Sequence, residues 1–283
     1  MEQVAYYNGT IGAPEELMVP FLDRACFFGD GVYDATMASR GVILYLEDHL
    51  DRFWNSMRFM RFEPNFTREE LVGELHRVLE LADGRDVFLY WQITRGTAPR
   101  KHEFADVEPN LWITATSMPI GDLKNTLDLY SYEDRRYSYC NVKTLNLLPN
   151  VLAAQNAVDH GGQEAVFVRD GYVTEAAHSN LHFLKNGTLI THPADEYILH
   201  GIARKHLLGR CEVLGIPVEE RLYTLDEFMD ADEVLVSSST KFALRAAHVD
   251  GKPVGGKDAQ TFERLRVALI EEFEAYIGQR LGE

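Results

Sequence analysis

The sequence predicts an α+β chain built as two domains, and three observations lead there. Its 283 residues suit about two domains. A hydrophobic share of 46% with 11% aromatic residues is enough for sizeable cores. Strand-like and helix-like runs then alternate along the chain, without repeats or low-complexity segments.

The elements follow in order. QVAYYNGTIG reads as a hairpin turning at Asn8-Gly9. GVYDATMASRGVILYLEDHLDRF gives a strand, a turn at Ser39-Arg40-Gly41, a second strand, and a helix opening near Glu47. TREELVGELHRVLELADG is an amphipathic helix, with Thr67 as N-cap, Glu70 three residues on and Gly84 past its end. DVFLYWQITRG and PNLWITATSMP are β-rich runs joined by the polar loop TAPRKHEFADVE. These make a small N-terminal α/β domain, residues 1–119. The second domain, 120–283, is larger and richer in strands. TLDLYSYEDRRYSYCNVKTLN reads as strands, and PNVLAAQNAVDHGG as a helix with Pro149 near its start. EAVFVRDGYVTEAAHSNLHFLKNGTLITHP reads as a β-meander turning at Asp170-Gly171 and Asn186-Gly187. GIARKHLLGRCEVLG and AQTFERLRVALIEEFEAYIG are helices, and EVLVSSST is a strand ending in hydroxyls.

A formal net charge of −16 argues against nucleic acid or an anionic membrane as partner. The excess acid reads as a solubility feature. No apolar run approaches the roughly 20 residues of a membrane helix, and the start MEQVAYYNG shows no signal-peptide pattern. Cys26, Cys140 and Cys211 are odd in number and widely spaced, which suits reduced core thiols of a cytoplasmic protein. No metal is expected.

Four signals carry candidate chemistry. SYCNVKTLNLLPN sets Lys143 in a mostly apolar and amide-bearing run, in a chain with twenty arginines and only eight lysines. A desolvated lysine has its ammonium form disfavoured, which frees the amine for Schiff-base chemistry. The plainer reading is a lysine that snorkels its head to solvent. In VTEAAHSNLHF, Glu175 could hold a pyridine nitrogen protonated, or be an exposed acid at a strand end. Anion sites are offered by Gly201 and Ile202 at a helix start, by the hydroxyls of Ser237 to Thr240, and by Arg52 on its helix. Arg52 also suits a surface ion pair. In RGTAPRKHEF, Arg100 and His102 lie two apart, on one side of an extended segment, as a carboxylate clamp or as a solvated loop.

Taken together, K-[ST]-LN-LL around Lys143, VTE…SN around Glu175 and L.GI.R around Gly201 resemble the fold type IV pyridoxal-phosphate enzymes. The likeness runs from FGDGVYD to EVLVSSSTKFALRAAHVDGK, nearly the whole chain. The family comprises D-amino-acid aminotransferases, branched-chain aminotransferases, (R)-amine transaminases and aminodeoxychorismate lyases. FGDGVY and TRGTAPRKHEF look most like the D-amino-acid aminotransferase branch.

The resemblance implies a pyridoxal 5'-phosphate held between the two domains, bound as a Schiff base to Lys143, which then shuttles the proton. Glu175 would hold the pyridine nitrogen. Arg52, the N–H groups of Ile202 and Ala203, and Ser239 would hold the phosphate, with Leu199 against the ring. Tyr33, Arg100 and His102, with Thr240, would bind the substrate, the arginine and histidine reaching across from the partner of a homodimer. The implied reaction is ping-pong transamination, for example of D-alanine and 2-oxoglutarate to pyruvate and D-glutamate. The other branches of the family, and a non-catalytic binding protein of the same fold, are the alternatives. Where the family has a threonine this chain has Ala203; its serine-rich segment is replaced by Ala177 and His178, expected near the cofactor; an arginine before the cysteine is Tyr139. Lys241 and Arg245 lie where an acidic substrate side chain would be read.

Overall fold

A computed structural model describes residues 1–278 and Arg280. The chain divides into two units: Met1–Ile120 with Val142–Asn146, and Gly121–Asn141 with Leu147–Glu283. The sequence put Lys143 in the second domain, but its short segment belongs with the first unit. Backbone hydrogen bonds are the reason: Tyr33 donates to the Lys143 carbonyl at 2.9 Å and Leu145 to that of Gly31 at 3.0 Å.

The first unit holds β1 (Gln3–Tyr7), β2 (Thr10–Gly12), α1 (Arg24–Phe28), β3 (Gly31–Ser39), β4 (Val42–Ile43), α2 (Leu46–Phe59), α3 (Arg68–Leu81), β5 (Asp86–Thr94) and β6 (Asn110–Ser117). Its six strands form an antiparallel sheet in the order β2-β1-β6-β5-β3-β4. Val87, Leu89, Trp91 and Ile93 alternate along β5 into one core, as a strand's period of two requires. Leu71, Leu75, Val78 and Leu79 bring the α3 stripe to the same core, joined from α2 by Leu50, Phe53 and Met57. Thr67 and Glu70 form the expected capping box.

The second unit holds β7 (Thr126–Glu133), α4 (Leu148–Asp159), β8 (Glu164–Arg169), β9 (Tyr172–Ala176), β10 (Asn180–Lys185), β11 (Thr188–Thr191), α5 (Ile202–Leu214), β12 (Val218–Glu220), α6 (Leu225–Met229), β13 (Glu233–Ser238), β14 (Phe242–Val249), β15 (Lys252–Pro253) and α7 (Ala259–Ile277). The sheet runs β12-β11-β10-β13-β14-β7-β8-β9, with β15 on β14. It is mixed: β7 pairs parallel with both β8 and β14. The expected meander is therefore two hairpins, β8–β9 and β10–β11, with β7, β14 and β13 between them in the sheet. The strand reading of 126–146 holds only to Glu133, because Asp134 caps the next turn by accepting the Arg136 N–H at 3.0 Å. Alternate faces of β10 and β13 feed different cores: Phe183, Val234 and Val236 on one side, Leu184 and Leu235 on the other. Burial on both faces explains their near-continuous apolar runs. Of the three free cysteines only Cys211 is a core residue; Cys26 is exposed and Cys140 is half-buried.

Candidate active site

In the first unit, Lys143 is half-buried on a strand-free segment stitched to β3. Its N–H donates to Ser56 Oγ at 3.2 Å, and Asn146 Nδ2 donates to the Gly29 carbonyl at 3.0 Å. The stitching needs a glycine at position 31, where a Cβ would meet the Leu145 side chain at 2.5 Å and the Ile93 carbonyl at 2.7 Å. Lys143 Nζ lies 4.3 Å from the Tyr33 ring centroid, a cation–π distance. Tyr33 in turn stacks on Tyr90 at 5.2 Å, and Tyr90 donates to Gln92 Oε1 at 2.6 Å.

Arg52 is one arm of a buried ion-pair group rather than a surface pair. Its Nε and Nη2 meet the two oxygens of Asp34 at 2.9 and 2.6 Å, and His49 Nδ1 stands 2.8 Å from Asp34 Oδ1. Burial alone would raise the Asp34 carboxyl, but Arg52 and His49 hold it well below the usual carboxylate range. The His49 imidazole is lowered by the same burial.

Arg100 and His102 share one neighbour, Phe28. Both are exposed, and both lie over one ring: Arg100 Cζ is 5.1 Å from the Phe28 centroid and the His102 ring is 5.2 Å from it.

The second unit carries Glu175 on β9, buried. Oε1 accepts from Arg136 Nη1 at 2.5 Å, and Oε2 accepts from Asn180 Nδ2 and the Leu199 N–H, both at 3.0 Å. Burial pushes this carboxyl up to about 7 against the pull of Arg136. Arg136 lies 4.1 Å over the Phe167 ring and is forked by Asp134 at 3.0 and 2.8 Å. The sequence reading missed Arg136 and Asp134, and noted only that the family's arginine at position 139 is here Tyr139, which is exposed.

Asn180 also joins Glu175 to the start of α5. Its Nδ2 donates to the Leu199 carbonyl at 2.9 Å, and its Oδ1 lies where a Cβ on Gly201 would stand, 2.0 Å away. Gly201 is the N-cap of α5 and brings no side-chain cap, so the N–H groups of Ile202 and Ala203 stand at a helix start of the kind that suits an anion. Of the hydroxyl run, Ser237 is buried against His182 Nε2 at 2.8 Å, Ser238 and Thr240 pair at 3.3 Å, and Ser239 is half-buried in the turn between them. Burial holds His182 down at about 3, so it is neutral.

Three other expectations change. His178 Nδ1 is 2.9 Å from Glu164 Oε1, so the ring is engaged by a buried acid. Lys241 approaches the other oxygen of Glu164 at 3.5 Å, and Arg245 pairs with Glu233 at 2.7 Å. Both cations are thus set against buried carboxylates instead of standing as free loop charges. Among the described residues, no helix is long and apolar enough to cross a membrane.

A buried carboxylate with a raised pKa and an uncapped helix N-terminus, both set against Asn180, fit the two ends of a phosphorylated pyridine. The protein therefore has residues suited to pyridoxal phosphate.

Residues 31–249 match the family described as amino-transferase class IV. The chain is 35% identical over 269 residues to the D-alanine aminotransferase of Bacillus licheniformis, covering 93% of this chain and 94% of that one. It is 36% identical over 280 residues to the D-alanine aminotransferase of Staphylococcus haemolyticus, covering 97% and 98%. Among solved structures, the branched-chain aminotransferase of the thermophilic archaeon Thermoproteus uzoniensis with norvaline superposes with a TM-score of 0.85 at 21% identity, covering 97% of each chain. The branched-chain amino acid aminotransferase of Escherichia coli gives 0.84 at 22%, covering 100% of this chain and 97% of that one. At those identities the likeness is one of fold.

Proposed function

This chain belongs to the class IV aminotransferases, pyridoxal-phosphate enzymes that transaminate amino acids, and we propose that its donors are D-amino acids and its acceptors 2-oxo acids. D-Alanine and 2-oxoglutarate, giving pyruvate and D-glutamate, are the proposed pair. The observation that carries the proposal is the placement of Arg100 and His102 over the single Phe28 ring. Two cationic or donor groups facing one point suit an α-carboxylate. The D-alanine aminotransferases that share a third of its residues support the same reading.

When bound, pyridoxal phosphate supplies an electron sink for charge developing at the donor's α-carbon. Lys143 would attach the cofactor through Nζ and, once freed, take the α-proton at Nζ and give it up again, as base and then acid. Glu175, its carboxyl near neutrality, would accept the hydrogen bond of the pyridine nitrogen, with Arg136 and Asn180 fixing its oxygens. Arg52, the N–H groups of Ile202 and Ala203, and Ser239 Oγ would hold the phosphate, and Leu199 would pack on the ring. Tyr33, Thr240, and Arg100 with His102 from the partner of a homodimer would fix the substrate carboxylate. With that group fixed, only one enantiomer presents its α-hydrogen to Lys143, and the choice between D and L follows.

The test is the visible spectrum of the protein with pyridoxal phosphate, alone and after D-alanine or L-alanine, beside Lys143→Ala. A band bleached by D-alanine alone, with activity at least about a thousandfold lower in the variant, is the expected result. Faster turnover of L-alanine would move the enzyme to another branch of the family.

A further inference from the structure

We propose that Arg24 is a positioning residue for carboxylate recognition: it holds the middle of the β5–β6 loop so that Arg100 and His102 are both kept against Phe28. The inference rests on the clamp reading above, and concerns a residue that need not touch substrate.

Arg24 opens α1 and is 3% exposed. Its guanidinium donates through Nη1 to the Lys101 carbonyl at 2.6 Å and to that of Glu103 at 3.2 Å, and more weakly through Nη2 to that of His102 at 3.4 Å. Three consecutive carbonyls are thus turned toward one fork, on the stretch that carries His102 and directly follows Arg100. Nε is paired with Asp30 Oδ2 at 2.8 Å, which sets the plane of the fork. Asp30 is itself braced by Arg95 at 3.0 Å, whose guanidinium lies over Phe62 and Phe104 at 4.2 and 3.8 Å.

The two feet of the loop do not depend on this fork. Asp23 Oδ2 accepts from Thr94 Oγ1 at 2.8 Å and from Asn110 Nδ2 at 2.7 Å, tying the end of β5 to the start of β6. Backbone bonds from Arg24 to Gly96 at 3.0 Å and from Ala98 to Leu22 at 3.1 Å add to the base. What the Arg24 side chain adds is the course of the loop between its feet. A planar fork of donors can serve several carbonyls at once; a lysine ammonium in its place keeps the charge and the Asp30 pair but cannot span them.

The experiment uses the holoenzymes of wild type, Arg24→Lys, Arg24→Gln and Arg100→Ala, with steady-state kinetics and amide hydrogen exchange. For both Arg24 variants the expected result is a rise of about tenfold in KM for D-alanine and for 2-oxoglutarate, since both carry the carboxylate, with kcat within about threefold. Exchange across residues 97–109 rises by about tenfold, with β3 and β5 as protected as in wild type. Wild-type KM, unaltered loop exchange, or equal loosening of β3 and β5 each overturns the inference, the last because it marks a general structural role. Arg100→Ala separates the two levels. If it keeps wild-type KM, the clamp reading fails, and the loop exchange of Arg24→Lys alone then decides whether the anchor exists.

Discussion

Arg136 Nη1 and Glu175 Oε1 are 2.5 Å apart in the interior of the second unit, yet burial outweighs the arginine and leaves the carboxyl near 7. The arginine is not a full counterion to Glu175, because Asp134 engages its Nε and Nη2 at 3.0 and 2.8 Å. Glu175 is thereby tuned to hold or accept a proton close to neutral pH, a useful property for a group meant to face a ring nitrogen.

A pH dependence of stability follows. The folded carboxyl sits above its ordinary value of 4.5, at about 7, so the folded state binds the proton that the unfolded chain releases. The contribution is present below pH 4.5 and is lost as pH rises through 7, amounting to about 3 kcal/mol for the cofactor-free protein. Urea denaturation of that form, with Glu175→Gln beside it, is the check. The difference in stability between the two should move in the variant's favour from pH 4.5 to 7.5. A difference that stays flat with pH contradicts the tuning.

Asp34 gives the opposite sign. Burial opposes its charge, but Arg52 and His49 keep it ionised, so its stabilising effect is present above the ordinary aspartate value of 3.8 and is lost as pH falls below it. Asp34→Asn leaves the Arg52 guanidinium without its bidentate anion. The expected loss is about 3–5 kcal/mol at pH 7, read from the urea midpoint. A loss under about 1 kcal/mol would mean that solvent or another anion already serves Arg52.

The residues of the candidate site could be picked out in the sequence because they sit at punctuated places: a lysine in an apolar run, a glycine at a helix start, an arginine and histidine two apart in a polar loop. The partners were harder to read, for physical reasons. Arg135 and Arg136 are neighbours with the same chemistry, but the first pairs with exposed Glu133 and the second faces Glu175, and only the turn at Asp134 decides which. Lys241 and Arg245 look like free loop cations until the fold sets them against Glu164 and Glu233. Those two acids, with Asp34 and Asp134, are buried, so part of the acidic excess is interior wiring rather than a solubility coat. Strand order was equally out of reach: β9 and β10 are close in sequence, but their neighbours in the sheet are set by burial on both faces, which local alternation does not encode.

Two glycines near α5 make a matched pair for a last test. At Gly201 a Cβ would stand 2.0 Å from Asn180 Oδ1, so Gly201→Ala must displace the amide that holds both Glu175 Oε2 and the Leu199 carbonyl. A shift of that kind costs about 1–3 kcal/mol and loosens the grip on cofactor, measurable as a higher dissociation constant for pyridoxal phosphate. At Gly209, inside the same helix, a Cβ would meet no described heavy atom within 4 Å apart from its chain neighbours and the helix's own backbone. Gly209→Ala gains helix propensity alone and should stabilise by up to about 1 kcal/mol, with cofactor affinity unchanged. If Gly201→Ala bound pyridoxal phosphate as wild type does, Asn180 would not be the hinge between the carboxylate and the helix start.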